Sequence, residues 1–186
     1  KKKIKLKKNK NDLIVLYGSS TLRLWKNFDE DFENFNTLNL GFGGSLISNM
    51  IDNFEVLFKE ISPKTIILYC GGNDLAVGLD PEKIFKKLIV LIKMIKEKFK
   101  KIKIINIQLK PSLERISKMD KINLLNKRIS DHFKRRKNLI QLECFDDIMI
   151  NGDIDETFFL RDGLHLNDKG YELISQKLKY QLNNDY

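Results

Sequence analysis

Short apolar runs alternate along the chain with longer segments in which apolar residues recur every three or four positions. The short runs predict strands, and three of them are apolar on both faces, as is typical of parallel strands covered by helices on each side. The predicted strands are LIVLY (13–17), TLNL (37–40), TIILYC (65–70), KIKIINI (101–107) and LIQLE (139–143). The longer periodic segments predict helices over 21–29, 45–60, 81–100, 118–136 and 168–182.

This alternation predicts an α/β fold, a three-layer α/β/α sandwich with a flavodoxin-like central parallel sheet of about five strands. Two predicted helices have clear start signals: Asp80 precedes Pro81, and Asn167 or Asp168 precedes the last helix. The longest irregular stretch is 144–166, and irregular segments of that length in a compact domain are usually functional.

The length of 186 residues fits one domain, and we expect residues 12–186 to form it, preceded by a disordered basic tail over 1–11. No apolar run approaches the ~20 residues that span a bilayer, and no signal-type apolar core follows the lysines. We therefore expect no membrane span and a cytoplasmic location, with export left open.

The net charge of +9 is concentrated in two places. Residues 1–10 carry seven lysines and no acid, and residues 82–103 carry nine lysines against two glutamates, so the rest of the chain is net acidic. A tail and one solvated helix face are not a groove interleaved with aromatic residues. We therefore expect no nucleic-acid partner.

The two cysteines, Cys70 and Cys144, are too few for a disulfide framework in a chain of this length. No Cys/His spacing resembles a zinc site. We expect both thiols to be structural, and we expect neither a metal nor an organic cofactor.

Small and polar residues follow the first three predicted strands, in YGSST (17–21), NLGFGGS (39–45) and YCGGND (69–74). The carboxyl edge of an open α/β sheet is where ligands bind. Ser20 at a helix start there is either a nucleophile beside free backbone N–H groups or only an N-cap. The glycine turn with Gly44, and Asn73 before an aspartate, equally fit ordinary turns.

The fourth polar segment, DGLH, places Asp162 three residues before His165. A carboxylate at that spacing can accept the Nδ1–H of the imidazole and leave Nε2 as an acceptor, the tautomer that a general base needs. The second histidine, His132, lies in a charged helix and is expected to be a solvated or satisfied residue rather than a catalyst. A hydroxyl, a base, an orienting acid and several donors at one sheet edge satisfy the requirements of acyl transfer.

The segments YGSST, GFGGS, GGND and DGLH, in this order, resemble the four sequence blocks of the SGNH hydrolases, also called GDSL-type esterases. The resemblance extends from about residue 13 to residue 180. The first and third segments are most similar to bacterial esterases related to the platelet-activating-factor acetylhydrolases.

The resemblance implies that Ser20 is the nucleophile, His165 its general base and Asp162 the acid that orients the imidazole. It implies an oxyanion hole made by the backbone N–H groups of Ser20 and Gly44 and the side-chain amide of Asn73. One departure is that the usual Gly-Asp-Ser has become Gly-Ser-Ser, which leaves Ser19 as an alternative nucleophile, although the register favours Ser20.

The expected function is a serine esterase that hydrolyses short-chain acyl esters, above all acetyl esters, through an acyl-enzyme. Only 144–166 is left to overhang the site, and it is mostly polar and acidic, so we expect a small-molecule or carbohydrate ester as substrate. One alternative is an acyltransferase or transesterase that acts on a carbohydrate with the same residues. Another is a non-catalytic flavodoxin-like binding module. No pattern indicates an oligomeric state.

Overall fold

The structure is a computed structural model that describes residues 12–184. The predicted basic tail over 1–11 lies outside the described residues, as do the last two residues. Within the described part of the chain, no helix is both long and apolar enough to cross a membrane.

Five parallel strands form the central sheet, in the spatial order β2-β1-β3-β4-β5. The strands are β1 (Ile14–Gly18), β2 (Thr37–Gly41), β3 (Thr65–Tyr69), β4 (Lys103–Ile107) and β5 (Leu139–Leu142). In the register, Leu16 of β1 lies between Asn39 of β2 and Ile67 of β3. The order reverses beside β1, so the sheet has the flavodoxin-like topology with its switch point between β1 and β3.

Helices cover both faces of this sheet. Successive side chains of a strand point to opposite faces, and Val15 and Leu16 are both fully buried, as are Ile66 and Ile67. The helices are α1 (Ser20–Arg23), α2 (Phe28–Asp31), α3 (Ile47–Leu57), α4 (Gly72–Ala76), α5 (Pro81–Lys98), α6 (Met119–Phe133) and α7 (Asp168–Asn183). Short 3₁₀ turns lie at Leu113–Lys118, Asp146–Ile148 and Glu156–Phe158. The three-layer α/β/α prediction is confirmed.

The helix predicted over 21–29 is two short helices, because the chain turns to bury a cluster of aromatic side chains. The ring of Trp25 packs edge-on against Phe28, at a centroid distance of 5.7 Å, and against Phe32, at 5.5 Å. It also stacks on the ring of Tyr171 in α7, at a centroid distance of 5.2 Å. Trp25 lies between α1 and α2, where its ring contacts both α2 and α7.

The irregular segment 144–166 contains a small hairpin that the periodicity did not predict. Its strands are β6 (Met149–Ile150) and β7 (Asp153–Ile154), joined by Asn151 and Gly152, both with positive φ. Asn-Gly is the typical pair of a two-residue hairpin turn, so the signal was present but its flanking strands were too short to show alternation.

Both predicted helix starts and both cysteine predictions agree with the structure. Asp80 accepts a hydrogen bond from the Glu82 N–H at 2.9 Å, and Asn167, not Asp168, caps α7 by accepting from Gly170. Cys70 and Cys144 are buried free thiols whose pKa is raised by that burial.

Candidate active site

Ser20 lies at the switch point of the sheet, directly after β1, as the first residue of α1. Its Oγ is 3.1 Å from Nε2 of His165. Ser19, in the same turn, is 93% buried. Its backbone N–H donates to the carbonyl of Tyr69 at 3.0 Å, so the end of β3 holds the turn that follows β1. Of the two serines, Ser20 is the one whose hydroxyl contacts the histidine.

Asp162 fixes the imidazole of His165 from the other side. Asp162 Oδ2 is 2.6 Å from His165 Nδ1, and Oδ1 accepts the backbone N–H groups of Leu164 and His165, each at 2.9 Å. The intervening Gly163 has φ +61°, a conformation that suits glycine and curls the chain around the carboxylate. Burial alone would raise the pKa of Asp162, but these hydrogen bonds outweigh it and hold the pKa at about 2.

Ser20 comes from one end of the described chain and the Asp162–His165 pair from the other. Tyr171 joins the segments that carry them. The Tyr171 hydroxyl donates to the carbonyl of Thr21 at 2.8 Å, one residue after Ser20. The ring of Tyr171 stacks on Trp25, so packing and a buried hydrogen bond fix α7 against α1.

Gly44 and Asn73, the other predicted oxyanion donors, lie in neighbouring segments that contact each other. Asn73, in the first turn of α4, donates from Nδ2 to the carbonyl of Ser45 at 3.1 Å and accepts at Oδ1 from Nη2 of Arg115 at 3.2 Å. These two contacts set the orientation of the amide and leave one amide N–H available. Gly44, with φ +68°, is exposed in the loop between β2 and α3.

Asp74 is a buried residue that links these same two segments. Its carboxylate, fully buried, accepts from the backbone N–H of Ile47 at 3.2 Å, at the N-terminus of α3. Burial raises the pKa of Asp74. The contact holds the loop that carries Gly44 against the helix that carries Asn73, a role that the sequence did not reveal.

A narrow cleft brings together three of the predicted residues, but not Gly44 or Asp162, and contains two cations that the sequence analysis missed. It is lined by Ser20, Tyr69, Asn73, Lys110, Arg115 and His165, among others. Lys110 follows β4 by three residues, so its position at the carboxyl edge of the sheet was the signal that could have identified it. A larger surface groove, lined in part by Trp25 and Lys179, contains none of these six residues.

His132 lies in α6, where its ring packs edge-on against Phe85 with centroids 5.3 Å apart. Burial lowers its pKa. Among residues 12–184, no three His, Cys, Asp or Glu side chains cluster closely enough to hold a metal ion.

A serine, a histidine and an aspartate in hydrogen-bond series, at the switch point of a parallel α/β/α sheet, define a site of the serine-hydrolase class. The family model of the GDSL-like lipase/acylhydrolase family matches residues 15–173, and the chain belongs to that family. The resemblance stated from the four sequence segments is thereby confirmed, and the chain is an ester-hydrolysing enzyme.

Solved structures with the same fold include a GDSL-like lipase from Bacteroides thetaiotaomicron, with TM-score 0.81 and 19% identity over 94% of this chain and 89% of that one. A Streptococcus pneumonia protein whose name refers to platelet activating factor has TM-score 0.81 and 19% identity, over 92% and 83%. A carbohydrate esterase family 3 protein from Talaromyces cellulolyticus has TM-score 0.73 and 14% identity, over 93% and 97%. Among curated proteins, none matches this chain.

Proposed function

We propose that this protein is a serine esterase that hydrolyses short-chain acyl esters, with acetyl esters preferred, through an acyl-enzyme on Ser20. The observation that carries the proposal is the unbroken series from Ser20 Oγ to His165 Nε2 at 3.1 Å and from His165 Nδ1 to Asp162 Oδ2 at 2.6 Å. Such a series connects a nucleophile to a base and the base to an orienting acid.

In the proposed reaction, His165 Nε2 takes the hydroxyl proton as Ser20 Oγ attacks the carbonyl carbon of the ester. The tetrahedral intermediate places its negative oxygen against the N–H groups of Ser20 and Gly44 and the free amide N–H of Asn73. Each donor of this kind typically contributes ~3 kcal/mol of transition-state stabilisation. His165 then gives its proton to the leaving alcohol, and water repeats the cycle to release the acid.

The environment of Asp162 supports this assignment of roles. With a pKa of about 2, the carboxylate is ionised at every pH at which an imidazole can be neutral. It therefore accepts the Nδ1–H throughout the working range and stabilises the imidazolium that forms during the reaction.

The size of the cleft supports the choice of a small acyl group. The cleft has a volume of about 10 Å³, room for about one water molecule. The methyl of an acetyl group is of similar size. Further carbons would lie outside the cleft, where the ~0.8 kcal/mol that each buried CH₂ contributes is lost.

The test compares Ser20→Ala with its neighbour Ser19→Ala on p-nitrophenyl acetate, combined with mass spectrometry after exposure to a fluorophosphonate. We expect Ser20→Ala to abolish both hydrolysis and labelling. Ser19→Ala is the matched control and should retain a measurable fraction of both. Labelling of Ser19, or hydrolysis that survives Ser20→Ala, would contradict the proposal.

A further inference from the structure

Lys110 is an unusual residue to find buried in the cleft that contains the nucleophile. It is 95% buried and lines the same cleft as Ser20, Asn73 and His165. Lysine is among the residues least often buried unless paired. Within residues 12–184, its ammonium has neither a carboxylate within ion-pair distance nor a hydrogen-bond acceptor. Its nearest compensation is the ring of Tyr69, whose centroid is 5.7 Å from Nζ.

The other charged groups around the cleft are already engaged. Arg115 contacts the Glu114 carboxylate at 3.1 Å and donates to Asn73 at 3.2 Å. Asp162 is bonded to His165 at 2.6 Å. Among residues 12–184, Lys110 is therefore the one cation lining the cleft without a bonded counter-charge, which leaves one unmatched positive charge there.

An ammonium on a side chain that is largely removed from water is costly when it has no protein acceptor, and an anion placed against it recovers that cost through a charge-assisted hydrogen bond. One unmatched positive charge fits one negative charge, which is the charge of a carboxylate. The cleft has room only for the small acyl group, so the alcohol part of the ester lies at its mouth. The flexible four-carbon stem of lysine lets its ammonium reach a group there.

We propose that Lys110 is a specificity-determining residue that binds a carboxylate on the alcohol part of the ester, so that the preferred substrates are acetyl esters of carboxylate-bearing alcohols. This inference rests on the proposed function, in which Ser20 attacks the acetyl carbonyl. It narrows the substrates of that function to esters whose alcohol carries a carboxylate, because a neutral ester would leave the Lys110 ammonium without a partner.

The charge on Lys110 depends on pH in the range where the enzyme can be assayed. Burial lowers its pKa to about 7, repulsion by Arg115 adds to the effect, and attraction to Asp162 and Glu114 opposes it. Tyr69, whose pKa burial raises to about 12, stays neutral. A bound carboxylate favours the charged amine, so the preference for anionic esters should be strong near pH 6 and decline as the pH rises toward 9.

The experiment compares 3- and 4-acetoxybenzoate with their neutral methyl esters, as the ratio of kcat/KM for the anionic ester to that for its methyl ester. An effect of pH on the catalytic residues shared by both reactions applies to both members of a pair and cancels in the ratio. We expect the wild type to prefer at least one anionic ester by about tenfold or more, the effect of one hydrogen bond to a charged group. In Lys110→Met this preference should disappear, so that the ratio of the two kcat/KM values falls toward one.

Lys86→Met is the matched control, because Lys86 is exposed on α5 and its replacement removes the same charge without touching the cleft. If Lys110→Met does not fold, the wild type still tests the proposal. The product 4-hydroxybenzoate should then inhibit more strongly than its methyl ester at pH 6, where both phenols are neutral and the two compounds differ only in the carboxylate.

Two outcomes would overturn the inference. One is a wild type that hydrolyses the neutral esters through Ser20 without preferring an anionic one. The other is a Lys110→Met variant that keeps the preference or loses activity on both esters equally. Failure of the proposed function is distinguishable, because Ser20→Ala would then retain hydrolysis of the neutral esters.

Discussion

Replacing Lys110 by methionine should make the protein more stable, and by an amount that depends on pH. Methionine has a similar length and fills the same space with apolar atoms. It removes the ammonium of a residue that is 95% buried and whose Nζ has no hydrogen-bond acceptor among the described residues. Replacing an unpaired buried charge by an apolar group removes its desolvation cost.

The size of the effect follows from the lowered pKa of about 7, against an ordinary value of 10.5. Below pH 7 the amine is charged in the folded and the unfolded chain alike, so the folded state bears the full cost of desolvating the charge. The difference between the two pKa values, at about 1.4 kcal/mol per pKa unit, makes this cost roughly 5 kcal/mol. Between pH 7 and 10.5 the folded chain releases a proton that the unfolded chain keeps. The cost therefore shrinks as the pH rises, to roughly 2 kcal/mol at pH 9.

Urea unfolding of the wild type and Lys110→Met at pH 6 and pH 9, followed by circular dichroism, measures this directly. The gain in free energy of unfolding should be smaller at pH 9 than at pH 6 by roughly 2–3 kcal/mol. Contributions of other titrating groups are common to both proteins and cancel. Lys86→Met should show no such trend. A gain that is the same at both pH values would refute the argument that the folded protein holds a desolvated, titrating amine.

Three further predictions concern catalysis. Asp162→Asn should lower kcat by ~10²-fold or more without unfolding the protein, because an amide favours the wrong tautomer of His165. A near-normal kcat would remove Asp162 from the mechanism. Asn73→Ala should lower kcat by ~10²-fold or more with little change in KM, whereas a pure KM effect would make Asn73 an ordinary substrate contact. In a p-nitrophenyl ester series from acetate to palmitate, kcat/KM should be highest for the shortest chains, and a maximum at ten carbons or longer would point to a lipid substrate.

The sheet could be predicted from the sequence because its central strands are buried on both faces. A continuous apolar run such as LIVLY predicts a buried strand without information from other segments of the chain. In the structure, β1 is completely buried. The short helices α1, α2 and α4 escaped correct prediction because four or five residues contain little more than one period of the helical pattern, too few for the period to be recognised. Their positions are set by aromatic packing around Trp25 and by the turn at Asn73 rather than by local propensity.

The residues of the candidate site could be chosen from four short segments, but their partners could not. Asn73 contacts Arg115, 42 residues later, and Ser45, 28 residues earlier. Neither contact leaves a local signal. The same holds for Lys110, whose lack of a counter-charge is a property of the folded environment and is invisible in the motif around it.

The hydrogen bond from Tyr171 to Thr21 joins residues 150 positions apart, and Ser20 meets His165 across 145. Loop closure over such separations is costly and is compensated only when the intervening sheet is in place. During synthesis, Ser20 therefore remains without its base until nearly the whole domain has been made. In a refolding experiment, esterase activity should return with the slowest phase of structure formation, so that activity reports completion of the fold rather than its beginning.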